Sequence, residues 1–274
     1  MSEERARRIL HTIGIVLLLG SVLIPFGWMI IVSFSRSPDL WGELRLPTLK
    51  NYIDVLRLGT LHFPDYLRNS MIIAGAAAIL SAVFGGLAAY AVARIKLPGR
   101  LGLLLGVLAL SMFPQVSIVG YLYRLMSDFG AINTYPALIL PYIAWSLPLS
   151  LWILLSYISQ IPPEIDKAAL VDGASRFQMV RKIILPIALP GFLATVLLLF
   201  MFSFNEFLFA LMLTADDQAR TVPVGIALFQ GLHGETPWGY IMAASTLSCI
   251  PVVLIALFLQ RYIVEGLAGG AVKQ

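Results

Sequence analysis

Few side chains in this sequence are of a type that can do chemistry, and those that stand out fall in two places. Asn205 and Glu206 interrupt one apolar run, and Gln115 follows Pro114 in another. An acid at the centre of a membrane span costs about 2.5–3.5 kcal/mol on insertion scales, so it persists there for a reason. Two readings stand side by side: these groups hydrogen-bond a polar solute or line its gate, or they bond a neighbouring helix or a partner chain. Pro114 withholds an N–H and loosens its helix, which fits a kinked helix lining a cavity. The second place is residues 162 to 190, PPEIDKAALVDGASRFQMVRKIILPIALP, where acids and bases gather inside an otherwise apolar chain.

Other chemistries are absent from the sequence. No G-x-x-x-x-G-K-[ST] phosphate loop occurs, so any use of ATP must come from a partner. The lone Cys249 and the scattered His11, His62 and His233 make neither a disulfide framework nor a metal-ligand spacing. There is no G-x-S-x-G elbow and no intramembrane pair of acids placed as a catalytic dyad. A net charge of +4, concentrated beside apolar runs, fits topology signals and lipid headgroups rather than nucleic acid.

The elements that must position these residues are membrane helices. The chain is 59% hydrophobic and 12% charged, with a mean hydropathy of +0.86, far from the balance of a soluble domain. At about 20 apolar residues per crossing, six spans are expected, near Thr12–Phe34, Ser70–Ala93, Leu101–Val119, Pro136–Ile158, Ile187–Leu213 and Gly239–Leu259. The first follows Arg5, Arg7 and Arg8 as a secretory signal would, but its length and the lack of a small-x-small cleavage site predict an uncleaved helix. The short turn RIKLPGR carries Arg94, Lys96 and Arg100, a density that marks the cytoplasmic face. Both termini and the patch at 162 to 190 are then expected inside the cell.

Within that patch the local rules predict a helix, a glycine elbow and a second helix. Pro162 and Pro163 end the preceding span, Pro163 suits a first helical position, and Glu164 and Asp166 suit the positive end of the helix dipole. Gly173 after Asp172 permits the left-handed turn that closes a helix. Ser175 stands three residues before Gln178, a capping-box spacing, so a second helix is expected to start there and run to about Ile184 before Pro186. Ala168, Ala169, Gly173 and Ala174 put no bulk at the corner, while Asp166, Lys167, Asp172 and Arg176 are expected to ring it with charge. Physically this suits a plug for a cleft in a peripheral protein and, equally, an amphipathic helix lying on lipid headgroups.

The stretch resembles the cytoplasmic EAA loop of ATP-binding-cassette (ABC) importer permeases: EAA, three residues, G, nine residues, then I-x-L-P. Here it reads Lys167-Ala168-Ala169, LVD, Gly173, nine residues, and Ile183-Ile184-Leu185-Pro186. Lys167 stands at the usual Glu position, with Asp166 beside it, and the Ala-Ala and Gly spacing is kept. The segments NYIDVLRL, YLRNS, AAYAVARIKLPG, MFPQVSIVGYLY, FNEFLFALML and GLAGGAVKQ are similar, in order, to those of the smaller six-helix permease of the carbohydrate-uptake branch, the maltose and trehalose type.

The resemblance implies an all-α, polytopic membrane protein with six transmembrane helices in the type I ABC-importer permease fold. It has a cytoplasmic N-terminus at 1–11, a permease domain at 12–260 with its coupling loop at 159–186, and a cytoplasmic tail at 261–274. It implies a plasma (inner) membrane location in a bacterium or archaeon. The implied partners are a second homologous permease, two ATPases that hold the ATP and Mg, an extracytoplasmic sugar-binding protein and a sugar substrate. The chain itself then needs no cofactor, bears no catalytic or metal-binding residue, and is a transporter subunit rather than an enzyme. Docking on the ATPase falls to Asp166, Lys167, Ala168, Ala169, Asp172, Gly173, Ala174 and Pro186, and the solute pathway to Gln115, Asn205 and Glu206. Glycerol phosphate or a polyol is the alternative substrate class. A stand-alone secondary transporter is the alternative machine, although one would normally carry several intramembrane ionisable groups and an internal repeat.

Four further expectations are open to test. Trp145 and Tyr121 either stack on sugar rings or belong to interfacial belts. Gly102 and Gly106 match G-x-x-x-G and predict close helix packing. TLKNYIDVLRL is amphipathic through Tyr52, Val55 and Leu56 and is expected to lie along the outer surface. Gly266, Gly269 and Gly270 disfavour a regular helix in the tail, which in resembling permeases reaches toward the ATPases.

Overall fold

The computed structural model describes residues 3–35, 47–95, 98–229 and 237–271, with side chains described from 7 to 260 within those ranges. Among them every regular element is helical. Lys96, His233 and Lys273 lie outside the described residues.

Among the described residues five helices are long and apolar enough to cross a membrane, and a bent pair brings the number to six when it is counted as one broken span. They are α1 (Glu3–Ser33), α3 (Phe63–Arg94), α6 (Tyr135–Ile158), the continuous stretch Arg176–Phe204, and α12 (Trp238–Ala271), with α2 (Lys50–Arg57) lying between the first two in sequence. The expected third span is not one helix. It breaks into α4 (Arg100–Ser111) and α5 (Gln115–Asp128), bent by 86°. Pro114 sits in the break with extended backbone. Proline there both lacks the N–H that would continue α4 and disfavours helical backbone at the residue before it.

The fifth span also departs from expectation. It begins at Arg176 with α8 (Arg176–Met179), widens into a π-helical turn at Val180–Ile184, and continues as α9 (Leu185–Phe204). The second helix of the patch therefore does not stop before Pro186 but runs through it. In the π turn the Leu185 N–H reaches back to the Val180 carbonyl, and the missing N–H of Pro186 falls where this wider turn hands over to α9. At its other end the span stops at Phe204, breaks over Asn205–Phe207, and resumes as the short α10 (Leu208–Leu213). The tail is corrected too, since α12 stays helical through Ala271. Glycine weakens a helix by roughly 1 kcal/mol without forbidding it.

The chain divides into two compact units, one of Met1–Phe63 with Gly225–Ile250 and one of Pro64–Val224 with Pro251–Gln274. In the first, α2 satisfies the end of α1: Asn51 Nδ2 donates to the carbonyls of Ser33 and Ser35, both at 2.8 Å. The Ser33 and Tyr52 hydroxyls are 2.6 Å apart. Helix ends leave carbonyls without partners, so the inward edge of α2 is set by Asn51 with Val55, and the expected Leu56 is turned out. Bare Gly239 admits the Asn51 side chain, and the Tyr240 hydroxyl donates to Asp54 at 2.9 Å.

In the second unit α3, α6 and α9 build the core. Gly85 of α3 lies against Ser150 of α6, and the ring of Tyr157 lies on Gly191 of α9; an added Cβ would overlap in both places. Both are close helix approaches. A Cβ added at Gly102 or Gly106 would meet nothing within 4 Å, so among the described residues the G-x-x-x-G spacing makes no close helix contact. The YLRNS segment ties down the loop after α10. Asn69 Nδ2 donates to the Asp217 and Arg220 carbonyls, Tyr135 donates to Asn69 Oδ1, and the Val222 N–H donates to Ser70 Oγ.

Candidate functional site

The elbow forms as the local sequence dictates. α7 (Pro163–Val171) starts on Pro163 with Glu164 and Asp166 in its first turn. It closes on Gly173, whose φ of 78° is left-handed. The Gly173 N–H returns to Leu170 and the Ala174 N–H to Ala169, which together make a Schellman close. The capping box is complete, with the Gln178 N–H donating to Ser175 Oγ at 3.2 Å and the Ser175 N–H donating to Gln178 Oε1 at 2.9 Å.

What the elbow shows to its surroundings differs from expectation in one respect. Lys167, Ala168, Asp172, Gly173 and Pro186 are exposed and Ala174 is half-buried, whereas Ala169 is buried as packing for the corner. Asp166 turns inward. It is ion-paired with Arg94 at the end of α3, and the two side chains are only 11% and 9% exposed. A carboxylate in the first turn has to face either water or a partner; here α3 brings a guanidinium to it, so Asp166 does not join the outer ring of charge. Val171, 87% exposed, and Phe177, 71% exposed, instead put two apolar side chains on the outer face. Sequence reading passed over both, although apolar residues inside a charged patch are the signal that marks them. It also counted Arg94 only as a topology-setting base.

The expected pathway residues do come together. Gln115 opens α5 just after the Pro114 break, and Asn205 and Glu206 lie in the break between α9 and α10. With Leu149, Met201 and Phe207 they line an open groove of about 740 Å³. Irregular backbone at membrane depth is tolerated where it is buried in protein or faces a water-filled cavity.

Glu206 nonetheless has a different occupation from its neighbours. Only 8% exposed, its carboxylate accepts from the Phe209 N–H at 2.8 Å, the Ala210 N–H at 3.1 Å and the Tyr142 hydroxyl at 2.7 Å. Of the two readings open in the sequence, bonding to a neighbouring helix accounts for it: Glu206 satisfies the first N–H groups of α10 and anchors them to α6. Asn205 is exposed in the groove while its Nδ2 donates to the Met201 carbonyl at 2.7 Å. Trp145 packs edge-on to Phe209, with centroids 6.0 Å apart, and so belongs to the core around α10, whereas Tyr121 is 73% exposed.

An all-helical chain with broken spans and a structured elbow between α6 and α9 has the architecture of an ABC-importer permease. Its fold matches the crystal structure of a bacterial ABC transporter involved in the import of the acidic polysaccharide alginate, with a TM-score of 0.80 at 18% identity over 96% of this chain and 98% of that one. Residues 81–269 match the family described as binding-protein-dependent transport system inner membrane component, and the chain belongs to that family. It is 54% identical to the trehalose/maltose transport system permease protein MalG of Thermococcus litoralis, over 100% of this chain and 99% of that one. It is 39% identical to the trehalose transport system permease protein SugB of Mycobacterium tuberculosis, over 94% of each. The chain is thus a multi-pass inner-membrane permease subunit of an ABC importer that works with a binding protein, and it is not an enzyme.

Proposed function

We propose that this chain forms half of the translocation pathway for a disaccharide of the trehalose or maltose type. A second related permease supplies the other half, and two ATPases that hold ATP and Mg drive it through the elbow at Lys167–Ala174. The observation that carries this reading is the meeting of Gln115 and Asn205, from breaks in two different spans, on one open groove. Amides on a wall otherwise made of Leu, Met, Phe and the bonded Glu206 carboxylate offer donors and acceptors to a hydroxyl-rich solute without binding it tightly. The names of the two relatives support the disaccharide. The basic turn at Arg94–Arg100 supports cytoplasmic termini, and the exposed Lys167, Ala168, Val171 and Phe177 support docking on a peripheral protein.

The test is recovery of the tagged chain from its native membrane followed by reconstitution with the binding protein. Co-recovery of a second permease and an ATPase, and ATP-dependent uptake of labelled trehalose or maltose that falls in Asn205→Leu, are the expected results. Recovery of the chain alone, or uptake indifferent to both Asn205→Leu and Gln115→Leu, would overturn the reading.

A further inference from the structure

The buried Arg94–Asp166 pair has no part in the solute groove and does not face the exposed side of the elbow. It joins the cytoplasmic end of α3 to the first turn of α7, two elements far apart in sequence. Arg94 also donates through Nη2 to the Ile161 carbonyl at 2.8 Å, gripping the chain just before α7 begins. One turn up α3, the Tyr90 hydroxyl donates to Met179 Sδ at 3.1 Å, at the start of the fifth span. Ala89, Tyr90, Ile161, Ala169, Met179 and Ile184 then fill the space between these elements as one apolar cluster. The elbow is therefore fastened on its inner side to α3, while its outer side stays open.

We infer that Arg94 and Asp166 are positioning residues for coupling: their ion pair makes α7 and α3 move as one body, so that a displacement of the elbow reaches the membrane through α3 as well as through α9. This rests on the elbow's being the ATPase contact. Without the pair α7 keeps its C-terminal Schellman close and the backbone turn from the Ile165 N–H to the Pro162 carbonyl at its start, so the elbow survives as a helix and loses its fixed link to α3. A coupling between two sites needs an element that both of them bias, and a loosened link weakens the coupling without abolishing either site.

The experiment uses the complete complex recovered through the tagged chain, comparing wild type with Arg94→Gln, Asp166→Asn, Arg94→Lys and the paired reversal Arg94→Asp with Asp166→Arg. The readout is labelled trehalose transported per ATP hydrolysed in the complexes that assemble, a ratio that a purely structural role would leave alone. The single neutral variants are expected to lower that ratio by about tenfold, inside the roughly 5–150-fold span of allosteric couplings. Arg94→Lys, which keeps the charge, and the paired reversal, which restores it, are expected to recover much of it. An unchanged ratio in the neutral variants overturns the inference while leaving the importer reading intact. Should those variants fail to assemble, a paired reversal that restores assembly but not the ratio overturns it as well. Absence of an ATPase in the wild-type preparation instead removes the reading of the elbow as the ATPase contact, and the inference with it.

Discussion

Gly85 and Ser150 bring α3 and α6 into direct contact: the Ser150 side chain occupies the space a Gly85 side chain would need, and its hydroxyl donates to the Ser81 carbonyl at 2.9 Å. Membrane helices gain little from hydrophobic exclusion against lipid, so packing distance and interhelical hydrogen bonds decide how they associate. The same device recurs where Tyr157 covers Gly191.

Gly85→Ala is expected to destabilise the chain by about 1–3 kcal/mol, the usual cost of overpacking, because the Leu151 backbone N–H lies 3.2 Å from the new Cβ and cannot swing away as a side-chain tip can. Gly102→Ala and Gly106→Ala face open space and are expected to be neutral or to stabilise by roughly 0.5–1 kcal/mol through helix propensity. Thermal unfolding of the three variants in one detergent checks the contrast.

Tyr142→Phe removes one of the three donors to Glu206 and is expected to cost about 1.5–3 kcal/mol, the range for hydrogen bonds to charged groups. Glu206→Gln puts an amide NH2 where one of the α10 N–H groups needs an acceptor, so its cost is expected to be at least as large. The order of melting temperatures, wild type above Tyr142→Phe and Tyr142→Phe at or above Glu206→Gln, is the measurement; a Glu206→Gln protein as stable as wild type would show that Glu206 is not a cap.

Gly173→Asp places a side chain where φ is 78° and a new charge on the exposed corner of the elbow. Left-handed backbone costs a non-glycine residue roughly 1–2 kcal/mol, too little to prevent insertion. The variant is expected to be present in the membrane at near-normal amount while ATP-driven uptake is lost, read by immunoblot alongside uptake of labelled trehalose. Normal uptake would refute docking through the elbow.

The loop after α10 carries a pH dependence of definite sign. The Asn133 side-chain hydrogen bond, and then the Gln218 N–H, hold the Asp216 carboxyl below its ordinary value. A depressed folded value means the contribution is fully present above the unfolded value of about 3.9 and is lost as pH falls through the folded one. Hydrogen exchange in residues 214–221 is therefore expected to speed up below about pH 4 in wild type beyond the intrinsic pH effect, and Asp216→Asn is expected to abolish that excess.

The spans and the elbow were legible because their causes are local. A run of apolar residues has one way to be stable in lipid, and Pro163, Gly173 and the Ser175–Gln178 pair each act on backbone within a turn of themselves. The groove was half legible. Costly polar groups in Gln115, Asn205 and Glu206 pointed to it, but amide and acid carry the same warning in sequence, and only the approach of Tyr142 together with the N–H groups of α10 separates the cap from the residues facing the groove.

By itself the sequence determined that this chain crosses a membrane several times, that it carries no G-x-x-x-x-G-K-[ST] phosphate loop, and that a capped, glycine-cornered elbow sits between two of its spans. Each follows from composition, a missing motif or short-range backbone preference. Tertiary structure decided that the third and fifth spans are broken, that Asp166 faces Arg94 rather than outward, and that the close helix contacts fall at Gly85 and Gly191 rather than at Gly102 and Gly106. The physical reason is common to all three. A helix face acquires an inside only when another element arrives against it, and neither the distance to that element nor the group it brings is encoded in the periodicity of the segment itself.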